Sequence, residues 1–170
     1  PVQDRLRTVI ATSAATDHVL DEAAARLYLS FSLIFDGSLD QARSESIDAA
    51  NAARRCNFVP LVGLAEAAFA LAALLQGDTA VANDAATAAL PLGTNARWES
   101  SIRVVNVLAL QRAGDVDGAR LAAIELIDLA LEQRNPFVVF DTVAGLAGYR
   151  VNARSLDRAR STLDHASLTR

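Results

Sequence analysis

Along almost the whole chain, apolar positions recur with the spacing of a helix rather than the alternation of a strand. Val2, Leu6, Val9 and Ile10 share one face, which predicts a helix over about 3–13. Apolar helices are predicted at about 19–36, 60–76, 96–113 and 136–151, each followed by a second helix at about 39–55, 79–90, 116–133 and 156–168. Pro60 and Pro136 stand where a first helical residue tolerates proline, with Asn135 placed to cap the latter. The Pro-Leu-Gly stretch at 91–93 breaks the chain between the second and third pairs. Strand-like runs at 104–107 and 137–140 are embedded in helical spacing, so the expectation is nine helices and no strands.

The helix pairs are repeats. Four segments align: Gly37-Ser-Leu-Asp-Gln-Ala-Arg43, Gly77-Asp-Thr-Ala-Val-Ala-Asn83, Gly114-Asp-Val-Asp-Gly-Ala-Arg120 and Arg154-Ser-Leu-Asp-Arg-Ala-Arg160, spaced by 40, 37 and 40 residues. Their first position suits the left-handed residue that ends a helix; Gly37, Gly77 and Gly114 fit it and Arg154 departs. The next, Ser38, Asp78, Asp115 or Ser155, is a good N-cap, and Ser38 with Gln41 has capping-box spacing. Ala42, Ala82, Ala119 and Ala159 follow in register, and Ala49, Ala89, Leu126 and Ala166 lie two turns further along the same face. Small residues there allow close helix–helix contact within each repeat.

Composition agrees. Hydrophobic residues make up 52% of the chain and aromatics only 5%, and 35 residues are Ala, so the core is built from small side chains by the best helix former. All sixteen basic residues are Arg, against 20 acidic ones, for a net charge of −4. An acidic chain with scattered Arg lacks the basic footprint of a nucleic-acid binder. No basic face suits a membrane surface, and no apolar run is expected to span a bilayer, the nearest, at 104–110, being broken by Asn106. The lone Cys56 fits a reducing, cytoplasmic setting. The absence of Met and the unpartnered first helix suggest a piece of a longer protein.

The Gly–cap–x–x–x–Ala turn and the paired amphipathic helices resemble the tetratricopeptide repeat from about Asp21 to Ala166. Ala73 and Leu110 stand where that repeat usually has tyrosine, and the period exceeds its usual length. The resemblance implies one all-α domain over 1–170. It would be a right-handed superhelix of about four hairpins (repeats about 19–55, 60–90, 96–133 and 136–168) plus the extra N-terminal helix. The Ala- and Arg-rich repeats also look like those of large bacterial signal-transduction ATPases with LuxR-type DNA-binding domains. The similarity lies in Leu131-Glu-Gln-Arg-Asn-Pro-Phe137, Ala144-Gly-Leu-Ala-Gly148 and Leu156-Asp-Arg-Ala-Arg160. No phosphate loop or DNA-reading helix occurs here, so neither activity carries over.

Candidate chemistry is sparse. His18 and His165 lie at opposite ends, and neither has ligands at metal spacing. Cys56 beside Arg54 and Arg55 reads first as a small loop residue, and Asp115 with Asp117 lacks the further carboxylates of a calcium loop. Arg150, Arg154, Arg158 and Arg160 are interleaved with Asp157 and Asp164, as on a solvated face. Eleven residues before each turn stand Arg26, Glu66, Arg103 and Val143, and Glu99, Arg103 and Asn106 extend this stripe along one helix. Arg26, Glu66, Glu99, Arg103 and Asn106 therefore either line a concave face for a peptide terminus or anionic effector, or form an ion-pair ladder that fixes stacking. Asn106 alone could satisfy a neighbouring turn. Trp98 is either an exposed anchor or, as favoured here, fills the gap at the 91–93 break.

The expectation is a non-catalytic binding or sensor module of a bacterial transcription regulator, without metal or cofactor. It would bind a protein, a peptide or a small effector, without contacting nucleic acid or membrane, and its solenoid ends would allow a homodimer. The rivals are a free-standing scaffold for complex assembly and an enzyme with a helical fold.

Overall fold

The computed structural model describes residues 2–93, 96–133 and 142. Seven α-helices run in sequence: α1 (Val2–Ala15), α2 (Val19–Phe35), α3 (Leu39–Arg55), α4 (Val59–Gln76), α5 (Thr79–Ala89), α6 (Ala96–Ala113) and α7 (Val116–Gln133). A 3₁₀ turn over Leu90–Leu92 follows α5, where Pro91 removes a backbone donor. The described residues contain no strand. Apart from Thr142, the predicted helices at 136–151 and 156–168, with Ser155, Ala159 and the Arg150–Arg160 group, lie outside the described residues.

Each described helix packs only on helices one or two places away in the chain. The first helices of the hairpins, α2, α4 and α6, touch in succession, and α3, α5 and α7 each close against them. The described residues are thus all-α, a run of helices each packed on its neighbours in the chain.

The turns are set by left-handed residues. Gly37, Gly77 and Gly114 adopt φ of 77°, 86° and 85°, as their register predicted. Asp17 (φ 58°) and Asn57 (φ 55°) do the same between hairpins, so the device recurs at 17, 37, 57 and 77. Non-glycine residues there are usually Asn or Asp, whose short side chains tolerate this region. At all five turns the next amide donates to the carbonyl five residues back: His18 to Ser13, Ser38 to Leu33, Phe58 to Ala53, Asp78 to Ala73 and Asp115 to Leu110, at 2.9–3.1 Å.

The capping expectation needs correction. Among the described residues of the cap column, only the Asp115 side chain caps, its Oδ1 accepting the Gly118 amide at 2.9 Å. Ser38 and Asp78 make no side-chain cap bond, and the Ser38–Gln41 capping box does not form. Both sit at ψ of 60–70°, outside the extended region from which a cap side chain reaches back. The Asp78 carboxylate instead meets Arg43 at 3.6 Å.

The alanine columns are core. Ala42, Ala82, Ala119, Ala49, Ala89 and Leu126 are fully buried. Beside Ala42, the buried hydroxyls of Ser30 and Ser46 lie 2.7 Å apart and 3.0 and 2.9 Å from the Ala42 carbonyl, so their two protons are shared among these three oxygens and hold α2 on α3. The expectation of no bilayer-length apolar segment is also corrected. Helix α4 has 18 residues with mean hydropathy 1.8 and is long and apolar enough to cross a membrane by length and composition. Here it is the core helix, packed by α2, α3, α5 and α6. Its one charge, Glu66, is bonded by Arg54.

Gly63 on α4 permits a close approach to Leu92 and Ile102. A Cβ there would fall 2.8 Å from Leu92 Cβ and 3.2 Å from both the Leu92 carbonyl carbon and Ile102 Cδ1. Gly→Ala inside a helix normally stabilises by about 1 kcal/mol. At this site the clash with backbone reverses the sign. Gly63→Ala is expected to lower the urea midpoint of unfolding, by about 1–3 kcal/mol in stability, as overpacked sites do.

Candidate functional site

Glu22 on α2 is 6% exposed, which demands partners. Arg26 Nε lies 3.0 Å from Glu22 Oε1 and Arg55 Nη2 2.6 Å from Oε2. Arg26 also reaches Glu45 at 3.0 Å and Asp48 at 3.4 Å, both on α3. Burial lowers the pKa of Arg26, but hydrogen bonds to Glu22 and Glu45, with the charges of Glu45 and Asp48, outweigh it and hold the guanidinium above its usual value. Glu66 bonds Arg54 on α3. Arg103 pairs with Glu99 one turn away at 2.9 Å and meets Glu125 on α7 at 3.7 Å.

No ladder therefore joins Arg26, Glu66 and Arg103 among the described residues. Equivalent positions on successive first helices were expected to face one another. Instead each side chain turns toward a second helix, α3 for Arg26 and Glu66 and α7 for Arg103. Asn106 is buried at 7% exposure, and its side chain bonds no other described residue.

A different face is open. Along α2, Leu20, Ala24, Tyr28, Phe31 and Phe35 follow helical spacing, and Tyr28 and Phe35 are 65% and 87% exposed. Tyr28 and Phe31 line a pocket of about 320 Å³ with Leu61 and Leu64 of α4, Phe58 before α4, and Trp98 of α6. Phe58 and Trp98 meet edge to face, centroids 5.8 Å apart and planes at 87°. Trp98 is half-buried against the main core cluster, so it both packs and lines the pocket, between the two alternatives the sequence left. Four of the chain's nine aromatic residues converge here. Asp21 stands at the edge, its Oδ2 3.7 Å from His18 Nδ1.

Sequence reasoning missed Tyr28, Phe31 and Phe58 because apolar positions at helical spacing read as core. The available signal was a surplus: α2 carries apolar residues around more of its circumference than its neighbours cover.

Cys56 is half-buried and its thiol donates to the Ala53 carbonyl at 3.3 Å, a local loop contact. No cluster of three or more metal-ligating side chains occurs among the described residues. Compared with known proteins, the chain matches no family model, no curated protein and no solved structure.

Proposed function

We propose that this chain is a non-catalytic binding module whose binding face is the aromatic pocket between α2 and α4. The observation that carries the reading is that pocket. Exposed rings gathered over a cavity are costly in water and useful only when something covers them. Two further features support it. The stripe charges are consumed by pairing within and between adjacent helices, as structural ion pairs are. The repeated turns and near-neighbour packing suit a right-handed superhelix of tetratricopeptide-like hairpins, an architecture that serves recognition.

In the fuller form of this proposal, the module is the effector- or partner-sensing repeat region of a bacterial transcription regulator of the signal-transduction ATPase type. A phosphate-loop motif upstream and a helix-turn-helix downstream in the parent protein are what this form expects. A parent lacking both leaves the free-standing scaffold.

The pocket is tested by titration with N-phenyl-1-naphthylamine, a neutral apolar fluorophore. Saturable binding is expected, weakened at least about fivefold by Tyr28→Ala, the loss of roughly 1 kcal/mol of ring contact. Because Tyr28 is exposed, the melting temperature should hold. Non-saturable binding, or binding indifferent to Tyr28→Ala, overturns the assignment.

A further inference from the structure

The chemistry of the pocket narrows its ligand. Its described lining carries one charged residue, the carboxylate Asp21, against an otherwise apolar and aromatic wall. Aromatic faces are electron-rich and attract cations, and they repel anions. Phe58 and Trp98, at 87° to one another, form a corner rather than a slot. A corner fits a rounded group better than a flat ring. The fold shows the same attraction elsewhere, where the Arg43 guanidinium sits 4.9 Å over the Phe69 ring. The chain's net charge of −4 favours the approach of cations.

We infer that the pocket takes a small organic cation, an alkyl- or arylammonium, with its charge beside Asp21 and its substituents against Tyr28, Phe58 and Trp98. An anion would meet the carboxylate. A neutral ligand would gain nothing from the exposed Asp21 carboxylate at the pocket edge, whereas a cation is attracted by its charge. At about 320 Å³ the cavity is at the small end of ligand pockets, which span ~300–1,000 Å³, so it suits a single compact molecule. This inference rests on the pocket being the binding site, and the test separates the two.

Trp98 is the chain's one tryptophan, so its indole N–H gives a single assignable NMR signal from the pocket wall. The probes are (4-hydroxyphenyl)trimethylammonium and its neutral isostere 4-tert-butylphenol. The expected result is saturable displacement of the Trp98 signal by both, with the cation binding at least tenfold more tightly. In Asp21→Asn, an exposed substitution that leaves the core untouched, the preference should shrink to threefold or less. Equal affinity for the two probes overturns the cation assignment while leaving the pocket as a binding site. A preference that survives Asp21→Asn overturns the role of the carboxylate. A Trp98 signal moved neither by these probes nor by an arginine-bearing apolar peptide overturns both readings. Displacement by an arginine-bearing apolar peptide but by neither small probe overturns the small-molecule class.

Discussion

Replacing Ile102 by alanine is expected to cost about 4 kcal/mol of stability, near the upper end of the range for buried aliphatic truncations. Ile102 is fully buried on α6. Its Cδ1 occupies the space left by two glycines: a Cβ on Gly63 would fall 3.2 Å from it, and one on Gly93 3.3 Å. Its buried neighbours in that cluster are Ala67, Ala70, Ala86, Ala89 and Ala109, with Val105 the one larger residue. Alanines have no rotamers with which to close a cavity, and α4 already meets the Leu90–Leu92 turn so closely that a Cβ on Gly63 would fall 3.2 Å from the Leu92 carbonyl carbon. The hole therefore stays open, and the cost includes nearly the full cavity penalty. Urea unfolding followed by circular dichroism measures it. The control is Leu121→Ala on α7, where the side chain is mostly exposed and the change should stay within about 0.5 kcal/mol. A loss below about 1.5 kcal/mol at Ile102 would mean that α4 and α6 can close up, contrary to the tight approach at Gly63.

Arg26→Ala should cost about 2–3 kcal/mol. Removing one partner of a fully buried pair typically costs 3–5 kcal/mol, because the other charge is left stranded. Glu22 is nearly buried, but the half-exposed Arg55 still reaches it, so the penalty is smaller. The decisive readout is non-additivity. In Glu22→Gln the stranded charge is gone, so adding Arg26→Ala should cost at least 1 kcal/mol less than in the parent protein. Additive losses would mean that Arg26 acts by packing alone. The pH dependence has a definite sign. The folded-state pKa of Arg26 is raised, so its contribution is complete throughout the neutral range and is lost only at strongly alkaline pH.

The hairpins were legible in the sequence because two strong local signals coincide. Apolar periodicity placed α2, α3, α4, α6 and α7 nearly to the residue, and the Gly37, Gly77 and Gly114 turns supplied the register. Asp17 and Asn57 were harder to see. They hold the same left-handed conformation, but Asn and Asp are common in many other roles, so neither stands out as glycine does. Gly63 was passed over for a related reason: its value lies in the approach of Leu92 and Ile102, residues remote in sequence. The candidate site was legible only in part. Arg26, Glu66 and Arg103 were found by register, but register gives height along a helix and not the direction in which a long side chain turns. Each turned to a second helix and found a carboxylate or guanidinium there. The pocket rings gave the opposite error. Their spacing is that of core residues, and only the arrangement of α2, α4 and α6 shows which of them the neighbours leave uncovered.

If the aromatic face binds and the charged stripe holds the fold, the two sets of residues separate in one experiment. The most direct measurement is one titration with N-phenyl-1-naphthylamine repeated on three variants, Tyr28→Ala, Arg103→Ala and Asn106→Ala, with unfolding measured on the same samples. The expected result is weaker binding with unchanged stability for Tyr28→Ala, lower stability with unchanged binding for Arg103→Ala, and unchanged binding for Asn106→Ala. Binding that falls in the stripe variants and holds in Tyr28→Ala would contradict it and return the site to Arg103 and Asn106.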